Sequence, residues 1–442
     1  MSGTGWDGAF SASVSRRNFL YGAGGLAATG LLAACGGGSG SKASSGGGKA
    51  PIRLGYVASL TGAVAAYGTQ TLNSLQMAAR DINAKGGILG RQVEIKALDN
   101  QSKPDTVPAL MRQLTADGCK VLFGASASPP TIVAAQTADQ LRVPLIVPME
   151  AADAIIGDGR RYVFKVAPSV LADNGWPAQG LRAVMAGASA AGQPIQSVLM
   201  MYASTGAYPE ARQAWERTLK AEFPGARLLD VISIDEASTS DYAPLVSRAQ
   251  SAKPDLLIFG GNPQSVFQFY PALQRSGFSP KATLGCLGGS TNTKFIETVG
   301  AAAEGDIAGN YWTPKLKAKP GSEFSPQKFY DDYQKQFGGQ KPDGVGAYYY
   351  ACMGLVADAM TAAGTADDSE KITAALRATD IAGPSSDKNG MFIVGHGVKF
   401  NSKGLNTRAE GLVTQVRSGD FVPVYPAAVA TSSVVYPRPN SK

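Results

Sequence analysis

The chain has 442 residues, 44% of them hydrophobic and 17% charged, enough for two domains or one large one with a well-buried core. Its formal charge of +7 comes from scattered basic residues with no run of five, which argues against a clustered nucleic-acid surface. A single histidine, His396, and four cysteines far apart (Cys35, Cys119, Cys286 and Cys352) with no C-x-x-C pair argue against a multi-histidine metal site or zinc binding.

The first 50 residues read as an address rather than a fold. Ser15-Arg16-Arg17-Asn18-Phe19-Leu20 resembles the twin-arginine export signal. Phe19 to Ala34 is uncharged but diluted by glycine, and short of the ~20 apolar residues that a membrane span needs. It ends in Leu32-Ala33-Ala34-Cys35, which resembles the lipobox of bacterial lipoproteins and implies cleavage before Cys35 and acylation of its thiol. An ordinary signal peptide with a chance cysteine is the plainer alternative. Residues 36–50 are Gly/Ser-rich and read as a flexible linker.

From Ile52 the pattern becomes βα. Ile52 to Val57 is a short β-prone run, Ser59 to Gly68 a loop, and Leu72, Leu75, Met77, Ala78, Ala79 and Ile82 recur at roughly helical spacing until Gly86-Gly87. A second strand, Val93 to Leu98, ends at Asp99-Asn100 and completes a βαβ unit. A helix after Ser102-Lys103-Pro104-Asp105 runs to Ala116, strand Lys120 to Phe123 follows, and Gly124 to Pro130 leads into a helix over Thr131 to Gln140. That loop exposes hydroxyls and backbone N–H groups, as a ligand site or as a plain serine cap would. Val143 to Pro148 is a buried strand leading to Met149-Glu150-Ala151.

The pattern then restarts. Strands over Ser197 to Tyr202, Leu228 to Ile234, Leu256 to Gly260 and Thr283 to Leu287 alternate with helices over Pro209 to Glu222, from Asp241 to Ala252, and from Asn262-Pro263. Two α/β lobes follow from this repetition. Phe329, Tyr333 and Phe337 form a helix face for the core, and Tyr348-Tyr349-Tyr350 opens a helix to Ala363 packed by default. Gly390 to Phe400 and Gly411 to Val416 read as closing strands, and Pro437-Arg438-Pro439 as a loose tail.

Ser59-Leu60-Thr61-Gly62, Tyr67-Gly68, Asp81-Ile82-Asn83-Ala84-Lys85-Gly86-Gly87-Ile88, Gly90 and Asp99 resemble the opening of the branched-chain amino-acid-binding proteins, the extracytoplasmic solute-binding components of ABC importers. The resemblance extends loosely from Pro51 to Pro426 and implies the type 1 periplasmic-binding-protein fold: two Rossmann-like lobes, each a mainly parallel sheet flanked by helices, joined by a hinge. It divides the chain into a signal (1–35), a linker (36–50), lobe 1 (51–168 and 314–408), lobe 2 (169–313 and 409–430) and a tail (431–442).

The resemblance also implies site residues. The serine that holds the ligand carboxylate matches Ser128 best and Ser126 second, with Ala127 between them. A family threonine that shares this task is replaced by Ala151, beside Glu150. Tyr208 matches the aromatic that closes over the ligand, with Tyr67 its counterpart from the first lobe. Leu287 stands near the acid that pairs with the ligand ammonium. With both anchors changed, an amide, urea-like or aromatic-acid solute competes with a branched-chain amino acid, and Glu150 is the one acid near enough for an ammonium.

No G-x-x-x-x-G-K-[ST], H-E-x-x-H or G-x-S-x-G occurs, so binding without turnover is expected, with no cofactor and no metal. The expected partners are a small-molecule solute, an ABC permease, and the membrane through a lipid anchor on the outer face of the cytoplasmic membrane. The protein is expected to be a monomer. A sensor of the same fold and a surface hydrolase are the alternatives. A disulfide between two of Cys119, Cys286 and Cys352 stays open.

Overall fold

The computed structural model describes residues 50–317, 325–382, 394–439 and 441. The expected export signal, the lipobox with Cys35, the linker up to Lys49 and the start of the expected strand at Gly390 lie outside the described residues.

The first half builds one parallel sheet from β1 (Ile52–Ala58), β2 (Val93–Asp99), β3 (Leu122–Phe123), β4 (Leu145–Val147) and β5 (Val163–Lys165). Helices α1 (Ala65–Ala84), α2 (Val107–Ala116) and α3 (Ser128–Leu141) connect its first four strands. The spatial order is β2-β1-β3-β4-β5, so the direction of winding reverses at β1 and β3. Ligands of open α/β sheets bind at such a switch point, beyond the strands' C-terminal ends. The loops after β1 and β3 are therefore positioned for a site by topology alone.

The chain crosses to a second sheet through α4 (Trp176–Ala190). This sheet holds β6 (Ser197–Ala203), β7 (Arg227–Ile234), β8 (Leu256–Gly260), β9 (Ala282–Cys286) and β10 (Ile307–Asn310), with α5 (Tyr208–Glu222), α6 (Ala243–Ala252), α7 (Pro263–Arg275) and α8 (Thr293–Val299) in the connections. The chain then returns to the first sheet with α9 (Pro326–Gln336), α10 (Gly344–Ala363) and α11 (Ser369–Arg377). Tyr349 of α10 packs against Tyr56 of β1 at 5.4 Å between rings, and Tyr350 donates to Asp81 of α1 at 2.7 Å. After a short antiparallel pair, β11 (Asp380–Ile381) and β12 (Val398–Lys399), the last strands β13 (Leu412–Arg417) and β14 (Asp420–Tyr425) close the second sheet, whose order is β14-β13-β10-β9-β8-β6-β7. β13 pairs antiparallel with both β10 and β14, and the other pairs are parallel.

Three crossings therefore join the sheets, and they are bonded to one another. Lys165 donates its N–H to Gly404 O at 2.8 Å, Asn406 N–H donates back to Lys165 O at 3.0 Å, and the Trp176 indole donates to Asn310 O at 2.8 Å. Such short paired segments can act as a hinge.

Several expectations needed correction. α10 begins at Gly344 rather than at the tyrosines, because Asp343 caps it by accepting from Val345 and Gly346 N–H at 3.0 and 3.3 Å. Tyr348, Tyr349 and Tyr350 are all buried, as packing demands. Within the expected strand Gly390 to Phe400, the described part is extended only at Val398–Lys399. The tail is not loose: Arg438 is buried, its N–H bonds Lys281 O at 2.8 Å, and its guanidinium reaches Thr283 Oγ1 at 3.1 Å and Ala302 O at 2.5 Å. A guanidinium has five donors, and carbonyls near the second sheet hold it. Cys119, Cys286 and Cys352 are buried free thiols, which closes the disulfide question.

Candidate functional site

The opening motif is explained by the way it holds the β1–α1 loop. Asp99 at the end of β2 accepts from Leu60 N–H at 2.9 Å and from the Thr61 hydroxyl at 2.6 Å, and Asn100 Oδ1 accepts from Ser59 Oγ at 2.8 Å. The loop is pinned to the neighbouring strand, and α1 starts close over it. A Cβ on Gly68 would lie 2.0 Å from the Ser59 carbonyl oxygen, so only glycine permits this approach. Tyr67, expected in the loop, thereby sits in the first turn of α1 and faces the space between the lobes.

That space is a cleft of about 190 Å³ between the strand ends of the two sheets. Tyr67, Ser126, Ala127, Ser128, Glu150, Ala151, Tyr208 and Leu287 all line it. The residues that sequence reasoning missed include Tyr311 on the second crossing, Asn262 at the start of α7, Gly288, and Thr205 to Ala207 ahead of α5. Asn262 and Thr205 follow strand ends, a signal that could have found them. Tyr311 follows β10, where the sequence pattern signals only the crossing between lobes.

The first lobe's wall is a hydrogen-bonded network. Ser126 is held at φ +65° and 2% exposed. Its Oγ accepts from Ser59 N–H at 3.1 Å and shares a 2.6 Å hydrogen bond with Tyr56 Oη. Ser128 opens α3, and its Oγ accepts from Ala152 N–H at 3.3 Å. Glu150, 1% exposed, accepts from Tyr349 Oη at 2.6 Å. Burial pushes the Glu150 carboxyl above its ordinary value, while the Tyr349 hydrogen bond pulls it back. Tyr67 is 9% exposed, and its hydroxyl has no hydrogen-bond partner among the described residues.

The second lobe's wall is shaped by backbone. Leu287 holds φ +59° and ψ −171°, a region nearly reserved for glycine, and Gly288 follows at φ +44°. A Cβ on Gly288 would meet Tyr208 Oη at 2.1 Å, so Tyr208 lies directly against this turn. Across the cleft edge, Glu210 of α5 accepts from Asp153 and Ala154 N–H of the first lobe at 2.7 and 3.2 Å. On the other side Asn292 Nδ2 donates to Asp343 Oδ2 at 3.3 Å. Both bonds span the lobes.

Groups of three or more metal-ligating side chains do not occur among the described residues. His396 is buried, with Nε2 at 2.6 Å from Tyr348 Oη, outside the cleft lining. The arrangement can enclose a small molecule between aromatic rings and present it with hydroxyls, backbone N–H groups and one carboxyl.

The family model described as periplasmic binding protein matches residues 51–403. Leu/Ile/Val-binding protein homologs 7 and 8 of Brucella abortus are each 24% identical, over 88% of this chain and 95% and 94% of their own length. Among solved structures, a leucine-binding protein from Thermotoga maritima superposes with a TM-score of 0.69 at 20% identity, covering 85% of this chain and 98% of that one. A branched-chain amino-acid transporter substrate-binding protein from Streptococcus pneumoniae in complex with isoleucine gives 0.69 at 19%, over 85% and 100%. A solute-binding protein of an ABC transporter from R. palustris in complex with benzoate gives 0.68 at 15%, over 88% and 97%. The chain belongs to the periplasmic binding protein family.

Proposed function

We propose that this protein is the lipid-anchored receptor of an ABC importer, which binds a small amino-acid-like solute by closing two lobes on it and hands it to a membrane permease. The solute class is a branched-chain amino acid, an amide or urea-like compound, or an aromatic acid. The observation that carries this reading is the convergence of Tyr67 and Ser128 from one lobe with Tyr208 and Leu287 from the other on one cleft. Relatives that bind isoleucine and benzoate on the same fold support the breadth of the class. Lobe 1 is assigned to 51–168 and 314–408 and lobe 2 to 169–313 and 409–430, with closure about the three crossings. The anchor rests on Leu32-Ala33-Ala34-Cys35 behind Arg16-Arg17. The protein works as a monomer outside the cytoplasmic membrane and performs no catalysis.

The test is thermal melting against amino acids, amides, ureas and aromatic acids, with mass spectrometry of each hit. A solute at 100 times its dissociation constant adds about 2.7 kcal/mol to stability. A hit recovered unchanged is expected, and a hit recovered as product would make the protein an enzyme. Cys35→Ser is expected to release the protein from the membrane fraction.

A further inference from the structure

We infer that the cleft is built for a solute whose polar end is an uncharged, amide-like group rather than an ionised carboxylate. The inference rests on the receptor reading above and narrows it.

The described residues lining the cleft include no lysine, arginine or histidine, and Glu150 is their one acid. A carboxylate taken out of water needs a partner of opposite charge or several hydrogen-bond donors. The nearby buried cation is already engaged: Lys165 Nζ lies 3.2 Å from Asp153 Oδ1 and donates to Pro168 O at 2.6 Å.

The donors that a helix start would normally supply are also depleted. Ser128, Pro129 and Pro130 are the first three residues of α3. Proline has no N–H, so Ser128 alone among them keeps a backbone donor. The next one, Thr131 N–H, is bonded to Ala127 O at 3.1 Å. From these first three residues of α3 a carboxylate would receive the Ser128 N–H alone, with the Glu150 carboxyl close by as a competitor for the same protons.

An amide meets the same groups well. Its carbonyl can accept from the Ser128 N–H or hydroxyl, and its N–H₂ can donate to Glu150. These two groups are neighbours, since Ser128 Oγ touches Ala152 N–H, two residues beyond Glu150. The unpartnered Tyr67 hydroxyl offers one further donor or acceptor. Tyr208, Tyr311 and Leu287 cover an apolar body. The described lining residues of the second lobe, Leu287 among them, include no acid, so neither charge of a zwitterion finds a complete setting.

Matched pairs test this on the full chain by calorimetry at pH 7: benzamide against benzoate, and isovaleramide against isovalerate, with leucine as the zwitterion. The expected result is that the amide of a pair binds at least tenfold more tightly than its acid, and that Glu150→Gln narrows the gap by improving the acid. Ser128→Ala is expected to weaken the amide, and its half-buried place in a first helical turn leaves the fold intact. An acid that binds as well as its amide overturns the inference. Binding of leucine alone overturns it too but leaves the receptor reading standing. Silence from every compound counts against both.

Discussion

The two walls of the cleft are made in different ways. The first lobe offers polar groups fixed by a network: Tyr56 holds Ser126, Tyr349 holds Glu150, and Ala152 N–H holds Ser128. The second lobe offers a surface fixed by backbone: Leu287 and Gly288 at positive φ, with Tyr208 lying against them. Chemical recognition is thus concentrated on one side and shape on the other. Substitutions on the first wall should change which polar group is accepted, and substitutions on the second should change whether the cleft closes at all.

The largest expected effect lies at the seam where the walls meet. Burial pushes Asp343 from 3.8 up to about 7. A raised carboxyl binds its proton more tightly in the native than in the unfolded state, so its contribution is greatest below pH 4, falls as pH rises towards 7, and stays lost above. The total is on the order of 4 kcal/mol for a shift of this size. Asp306, pushed up to about 6, adds the same sign at lower pH. Urea denaturation between pH 6 and 7 should therefore show stability falling with pH, and Asp343→Asn should flatten that interval.

Gly288→Ala sharpens the contrast from the second wall. Its Cβ would meet Tyr208 Oη at 2.1 Å and Gly261 O at 2.8 Å. The expected loss is about 2 kcal/mol of stability and at least a tenfold drop in affinity, because the tyrosine must move off the turn. Tyr349→Phe tests the first wall. It removes the 2.6 Å bond to a buried carboxyl and should cost about 1.5 kcal/mol in denaturation, while changing relative affinities among polar solutes more than the average. If it weakens every solute equally, the division of labour between the walls is wrong. The smallest effect is expected of Glu210→Gln, which keeps one acceptor of two across the cleft edge. A loss of about 1 kcal/mol would appear as a roughly fivefold weaker affinity with unchanged preference.

The sheets were legible in the sequence because each βα step is local. β1 to β2 could be read from an apolar run, a helical period and the Gly86-Gly87 stop, and the restart at Ser197 disclosed the second lobe. The eight proposed contacts lie together because topology brings strand ends to one place, so reading those ends was enough. What stayed hidden depends on partners distant in sequence. Arg438 is fixed by carbonyls near residues 281 and 302, which nothing in a tail rich in proline announces. The start of α10 was misplaced because the apolar tyrosines drew the reading away from the Asp343 cap. Tyr311 faces the cleft only because the crossing it sits on is bound to its neighbours. Asp99, read from the sequence only as part of the opening motif, proved to be a clamp for the β1–α1 loop.

The three described cysteines, Cys119, Cys286 and Cys352, are each no more than 1% exposed. The thiolate is the reactive form, and burial both hides these sulfurs and raises their pKa. With Cys35 acylated or removed, a cysteine placed at the exposed cleft-lining position Ala63 would be the thiol that a maleimide dye finds. Light emitted from that single lip would then report, in real time, what the protein closes on.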